Sequence, residues 1–283
     1  MNDKLFIRLQ HMVPQHALSR FVGRIANCTN PLVKNTFIKW FVKRYQVDMS
    51  LAAQEDPLAY ANFNDFFTRA LKPGIRPVAA EPTAIVCPAD GAISQLGNIE
   101  KGRVYQAKGQ DFCLEELLGG DRELADQFAD GAFATVYLSP KDYHRVHMPY
   151  GGKLVKMISV PGDLFSVNTA TANGVPRLFS RNERVVAVFE TDIGPMAVIL
   201  VGAMIVAGIE TVWHGELAPM GSREIETSFY PYENIVLNKG DEMGRFKLGS
   251  TAIVLFAKDK IRWEPQYQEG TPTRMGVTLA QRQ

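Results

Sequence analysis

The sequence predicts an α+β protein whose core is a β-rich sandwich or partly closed barrel, with a helical region at its N-terminus. Three observations predict it. From residue 83 onward, short runs rich in β-branched and aromatic residues recur between glycine and proline turns. Those runs do not alternate with long helical patterns, so a doubly wound parallel sheet is not expected. Residues 1–47 instead show helical periodicity.

Taken in order, Leu18, Phe21, Val22 and Ile25 fall at i, i+3, i+4 and i+7 and form one apolar stripe. Asn30-Pro31 reads as a helix N-cap followed by proline at the first helical position. The helix it opens carries Leu32, Val33, Phe37, Trp40 and Phe41. It ends on Lys43-Arg44, which suits the negative end of the helix dipole. A further helix is predicted at 64–71. A proline-punctuated linker, Pro73 to Pro82, then leads into β-runs at 83–87, 92–97, 133–138, 153–160, 185–190, 196–207 and 251–257. Between them only 114–118 and 122–128 suggest helix. The chain thus divides into a helical region, 1–72, and a β-rich region, 73–283.

The 283 residues are 46% hydrophobic and 22% charged, ordinary for a protein with a sizeable core. A net charge of +1 gives no polyelectrolyte character, and no nucleic-acid partner is expected. The charge is uneven: residues 1–47 hold eight basic residues against one acid, Asp3. Apolar faces with basic residues and Trp40 suit two roles. One is a cap docked on the protein's own core; the other is a set of helices lying on anionic lipid. Three cysteines without a CxxC pair argue for a reducing compartment. No apolar stretch reaches the roughly 18–20 residues that span a bilayer. Arg8 and His11 interrupt any signal-peptide core. The chain is expected in the cytoplasm, unless it meets a membrane from that side.

Three local features could carry chemistry. Ser250 follows Gly249 at the head of an apolar run. A serine hydroxyl can attack the carbonyl before it, and a preceding glycine tolerates the strained backbone this needs. The resulting ester can eliminate and hydrolyse, cutting the chain and leaving a pyruvoyl group on the new N-terminus. The plainer reading is a loop that ends in Gly-Ser. His144 and His147 form the second feature. A helical turn opened by Ser139-Pro140 would put them on one side, and imidazole is the usual base for a serine. Read plainly, they are a structural pair; no HExxH pattern or cysteine cluster supports a metal. Asp90, in Pro88-Ala89-Asp90-Gly91, is the third. Asp-Gly is first a hairpin signal, but the carboxylate could orient an imidazole as in a Ser-His-Asp set. The aromatic segment 62–69 reads as core.

Seven stretches, in order, resemble the bacterial-type phosphatidylserine decarboxylases over nearly the whole chain. They are Phe63-Asn64-Asp65-Phe66-Phe67-Thr68-Arg69, Arg76-Pro77, Pro88-Ala89-Asp90-Gly91, Tyr143-His144-Arg145-Val146-His147-Met148-Pro149, Pro161-Gly162-Asp163-Leu164-Phe165-Ser166-Val167-Asn168, Asn182-Glu183-Arg184, and Gly244-Arg245-Phe246-Lys247-Leu248-Gly249-Ser250-Thr251. The resemblance implies conversion of phosphatidylserine to phosphatidylethanolamine and CO2, in phospholipid biosynthesis, through a Schiff base between the substrate amine and a pyruvoyl group. It implies self-cleavage between Gly249 and Ser250 into a β chain, 1–249, and an α chain, 250–283, associated as a heterodimer. Asp90, His147 and Ser250 are then the self-cleavage triad, Ser250 becomes the pyruvoyl group, and His144 is the proton donor in decarboxylation. Phe165, Ser166 and Asn168 would help shape the substrate pocket. The cofactor comes from the protein itself, and no metal is implied. A lipid substrate also turns the N-terminal helices toward an anionic membrane surface, as a peripheral attachment on the cytoplasmic side of the cell membrane. The competing expectations are an uncut Ser-His-Asp hydrolase and a non-enzymatic lipid-binding module. Further oligomerisation is left open.

Overall fold

The computed structural model describes residues 3–107, 109–204, 208–217, 223–247 and 250–283. Helices α1 (Asp3–Met12), α2 (Gln15–Ala26), α3 (Pro31–Tyr45) and α4 (Phe63–Phe67) come first. The Asn30 side chain caps α3 by accepting from the Leu32 amide at 2.9 Å, with Pro31 in the first turn. After Lys43 and Arg44, Gln46 ends the helix in the left-handed region at φ 54°. Ala26, Ile38, Phe41 and Val47 close a small core over Phe63, Phe66 and Phe67, so the aromatic segment is core.

α1 and α2 dock on the β-rich body through Ile7, which packs on the core beneath the short helices, through the His11 ring against Phe165 at 4.8 Å, and through polar side chains. Gln10 donates to Thr171 Oγ1 at 3.2 Å and accepts from the Ser166 amide at 2.8 Å. Gln15 accepts from the Leu164 amide at 2.7 Å, and His16 Nε2 donates to the Gly162 carbonyl at 3.0 Å. Other apolar side chains turn outward: Phe21 is 59% exposed, and Leu5, Leu9, Met12, Leu32 and Trp40 are exposed as well. An apolar groove between α2 and α3 opens among Val22, Ile25, Val33 and Phe37. Among the described residues no helix is long and apolar enough to cross a membrane.

The main sheet runs Glu226–Phe229, Gly152–Val160, Arg184–Thr191, Gly194–Val201, Ser250–Phe256, Ala132–Leu138, Gly91–Asn98, Pro272–Thr273. Val236–Leu237 also pairs with Gly152–Val160. All these pairings are antiparallel. One face, with Val136, Leu200, Ala252 and Val254, packs on two smaller sheets through Ile85, Val146, Phe246 and Leu279. The first is ordered Gly215–Glu216, Gly208–Thr211, Glu242–Lys247, Arg145–His147; the second Ala84–Val86, Thr278–Arg282, Ile261–Trp263. The other face, with Phe133, Ile199, Ile253 and Leu255, lies under short helices that include Arg122–Phe128 and Leu178–Arg181. The architecture is therefore α+β and mostly sheet, without a closed barrel.

Covered on both faces, all seven residues of Ser250–Phe256 are buried. That explains why the run is continuously apolar instead of alternating. The expected run 196–207 is divided: its strand ends at Val201, and the pairing that starts at Gly208 belongs to a smaller sheet. Residues 205–207 lie outside the described residues. Arg184 is buried without a carboxylate ion pair among the described residues and donates instead to the carbonyls of Leu117 (2.7 Å), Ser180 (2.7 Å), Asn182 (2.8 Å) and Glu116. It ties the ends of two short helices to the sheet.

Candidate active site

Ser250 opens the central strand opposite Leu138. Strand alternation puts its side chain on the face of Ala252 and Val254, toward the smaller sheets. It is fully buried, and its Oγ has no hydrogen-bond partner among the described residues. A buried unpaired hydroxyl costs free energy, and such groups in a native fold call for a reason, a reactive role among them. Gly249, the other half of the expected cut, lies outside the described residues.

Asp90 stands at the same end of the sheet. It precedes the strand Gly91–Asn98, whose Ala92 pairs with Tyr137, so Gly91 and Ser250 flank Leu138 from either side. At about 4.8 Å per strand their backbones are about 10 Å apart. The Asp-Gly pair is no hairpin turn, because Ala84–Val86 belongs to a different sheet from Gly91–Asn98. Arg76 Nε lies 3.0 Å from both Asp90 oxygens and its Nη2 2.5 Å from one, and the Met275 amide donates at 2.9 Å.

His147 is tied beside Asp90 by its backbone amide, which donates to the Pro88 carbonyl at 2.8 Å. Its ring has other partners. Nδ1 donates to the Gly240 carbonyl at 2.8 Å, and Nε2 accepts from the Tyr143 hydroxyl at 3.0 Å. Gly240 rather than Asp90 thus sets the tautomer, and Arg76 rather than His147 engages Asp90. Burial holds His147 below the usual histidine value, while the Gly240 bond and the charges of Glu242 and Asp90 work the other way. Burial also pushes the Tyr143 phenol up.

His144 is fully buried against Phe67, with ring centroids 4.1 Å apart. Its Nδ1 donates to the Asp142 carbonyl at 2.8 Å, and its Nε2 has no partner among the described residues. Burial, reinforced by the Arg69 charge, pushes its pKa down to about 3, so it is neutral at pH 7. The helical turn expected here does not form. Arg145–His147 is a strand paired with Glu242–Lys247. Before it, Asp142 Oδ2 accepts from Ser139 N (2.8 Å) and Oγ (2.7 Å) and closes a tight loop. The two imidazoles therefore have separate partners.

The remaining expected residues line the loop 161–168. The Phe165 amide donates to Asn182 Oδ1 at 3.1 Å, the Ser166 amide to Gln10, and Asn168 Oδ1 caps Thr169–Gly174 from the Thr171 amide at 2.9 Å. Asn182 also donates to the Gly202 carbonyl at 2.9 Å, beside Val201, which pairs with Thr251. The loop thus stands at the Ser250 end of the sheet. Sequence chemistry alone does not single out Arg69, Arg76 or Tyr143; their only signal is position inside the family-like stretches. Among the described residues no group of three or more His, Cys, Asp or Glu is placed to hold a metal ion.

A family model described as phosphatidylserine decarboxylase matches residues 63–281, and a second, described as PSD, matches 5–46. A phosphatidylserine decarboxylase proenzyme of Stutzerimonas stutzeri is 59% identical over 284 residues, covering 99% of this chain and 95% of that one. One of Bordetella pertussis is 58% identical over 281 residues, covering 98% and 94%. One of Pseudomonas putida (strain GB-1) is 58% identical over 284 residues, covering 99% of each. The protein is thus an enzyme of the carboxy-lyase class. More particularly, the chain belongs to the phosphatidylserine decarboxylase family.

Proposed function

We propose that this chain converts phosphatidylserine to phosphatidylethanolamine and CO2 with a pyruvoyl group made from Ser250, after cutting itself between Gly249 and Ser250. The observation that carries this reading is the buried, unpartnered Ser250 Oγ at the head of the central strand. The word proenzyme in the names of the relatives supports processing.

In the cut, Ser250 Oγ adds to the Gly249 carbonyl carbon as its proton passes to a base. The C–N bond breaks, the Ser250 nitrogen takes a proton, and an ester remains. Loss of the Ser250 α-proton expels Gly249 as a carboxylate, and water then releases the nitrogen as ammonia. His147 is the base of the first step: Nδ1–H is pinned on Gly240, Nε2 carries the lone pair, and burial keeps the ring neutral at pH 7. Ser250 Oγ displaces the Tyr143 hydroxyl from Nε2 or passes its proton through it. Asp90, held by Arg76, favours the imidazolium through its charge.

The pyruvoyl group supplies an electrophilic carbonyl and a sink for the electrons that CO2 leaves behind. The substrate ammonium must lose a proton before its nitrogen can react. Beside the anionic headgroup, whose charge favours the imidazolium, the otherwise neutral His144 Nε2 accepts it, and the imidazolium so formed gives a proton to carbon after CO2 has left. His144 is thus a base before it is an acid. The large and small chains stay together as a heterodimer.

The substrate also assigns a role to α1–α3. Their outward apolar face, with basic residues around it, suits peripheral attachment to an anionic bilayer on the cytoplasmic side of the cell membrane. Mass measurement on the denatured, active protein tests the chemistry: two chains split before Ser250 are expected, and one intact chain from Ser250→Ala. Active protein with a single uncut chain overturns the reading. For the membrane, Leu32→Glu with Trp40→Glu should lower sedimentation with phosphatidylserine vesicles at least tenfold and leave self-cleavage intact. Unchanged sedimentation would remove that role.

A further inference from the structure

Arg69 is buried, with 4% of its surface exposed, yet it has no carboxylate partner among the described residues. Nη2 donates to the Lys141 carbonyl at 3.0 Å and, more weakly, to the Asp142 carbonyl at 3.5 Å. Nε and Nη1 donate to nothing among the described residues. Phe66 lies under the guanidinium, 5.7 Å from ring centroid to Cζ. A buried guanidinium with idle donors carries an uncompensated desolvation cost, and an anion is what compensates it. Arg184 marks the contrast, since carbonyls of this fold engage all three of its nitrogens.

The position of Arg69 gives the anion an identity. Arg69 and His144 share the Asp142 carbonyl, and His144 Nε2 is likewise idle. The loop they grip begins beside Leu138, the register partner of Ser250. Ser250 is itself fully buried, so any headgroup that reaches it must enter this interior. On the reading given above, that headgroup carries two anions, a carboxylate and a phosphodiester. A cation on the carboxylate would be felt more strongly before CO2 leaves than during its departure, and so would slow the reaction. A cation on the phosphodiester, whose charge is constant throughout, carries no such penalty. Guanidinium groups are also well matched to phosphate oxygens.

We infer that Arg69 is a substrate-binding residue that receives the phosphodiester of the lipid headgroup beside His144. This rests on the proposed function, and the experiment separates the two. Wild-type enzyme, Arg69→Gln and Arg69→Lys are compared for self-cleavage by mass, for KM and kcat, and for calorimetric binding of two probes. The probes are glycerophosphoethanolamine, which has the phosphodiester without the carboxylate, and free L-serine, which has the reverse.

Arg69→Gln should still cut itself, raise KM, and weaken glycerophosphoethanolamine binding at least tenfold while leaving serine binding unchanged. Arg69→Lys should recover part of the binding, because it keeps the charge. Weakened serine binding with unchanged glycerophosphoethanolamine binding would overturn the assignment in favour of the carboxylate. Loss of kcat with both probes bound normally, or failure of both variants to cut, would overturn it in favour of loop support. Wild-type protein that neither cuts nor decarboxylates would instead refute the parent reading.

Discussion

Gly91→Ala should impair both stability and self-cleavage, because the new methyl has nowhere to go. A Cβ at Gly91 would stand 2.2 Å from the Tyr137 carbonyl oxygen, 3.0 Å from its carbon and 3.4 Å from Leu138 Cα. All three are backbone atoms of the strand that pairs with Ser250–Phe256, so no side-chain rotation relieves the overlap. The strands must separate by about 1 Å, and overpacking of this kind costs about 2–3 kcal/mol. The displacement falls one residue from Asp90, which is fixed by Arg76 and Met275, and one strand from Ser250. A misplacement of about 1 Å in a reacting set costs on the order of 100-fold in rate. The assay is the appearance of the small chain with time after synthesis, alongside the denaturation midpoint of the uncut chain in a Ser250→Ala background. Gly151→Ala is the control, since its methyl would meet nothing closer than 3.7 Å. A Gly91→Ala protein that cuts at the wild-type rate with the wild-type midpoint would refute the argument.

Three further outcomes are expected. The Arg76–Asp90 pair, with side chains 12% and 10% exposed, should show a coupling of about 2–3 kcal/mol in a cycle of Arg76→Leu and Asp90→Asn. A coupling below about 0.5 kcal/mol would mean the pair is no more than a surface contact. His144 is pushed down to about 3, so below its ordinary value near 6.5 the unfolded chain binds a proton that the folded chain refuses. Its contribution to stability should therefore be complete above about pH 6.5 and fall by about 1.4 kcal/mol per pH unit below it. Denaturation of wild type and His144→Gln between pH 7 and pH 4.5 checks this, because the variant should lack that part of the slope. Arg184→Met should lower stability by about 3 kcal/mol or more by stranding four carbonyls, and an unchanged melting midpoint would contradict the network.

Much of the strand layout was legible because each strand is an apolar run between turn residues. The expected 133–138, 153–160 and 251–257 appear as Ala132–Leu138, Gly152–Val160 and Ser250–Phe256. What pattern alone could not supply was direction and wiring. The periodic stripe on α2 is real, but periodicity does not say whether a stripe faces the core or the outside; here Phe21 faces out, Val22 packs on the small aromatic core, and Gln15 and His16 bond the β-rich body. The spacing of His144 and His147 suits a helical turn as well as a loop and strand, and pairing of Arg145–His147 with Glu242–Lys247 decided between them. The seven family-like stretches pointed to the expected site residues. They could not show that Arg76 engages Asp90, or that the Gly240 carbonyl orients His147, because both contacts depend on how separate sheets meet.

Lys247 closes a strand of a smaller sheet, and Ser250 opens a strand of the main one. Upstream, Glu242–Lys247 is held by two neighbouring strands and by ion pairs of Arg145 with Glu242 and of Lys247 with Glu216. Downstream, residues 250–283 supply an interior strand of the main sheet and the middle strand of the three-stranded one. The proposed cut would therefore nick the chain without releasing either piece, and it would follow a fold already complete. It also changes the reaction order of refolding. The uncut chain regains its structure alone, whereas a nicked and denatured molecule must meet its other half again, at a rate set by concentration. Nicking would thus leave the mature enzyme protected by slow unfolding rather than by reversible equilibrium, and each molecule would rely on having folded correctly once.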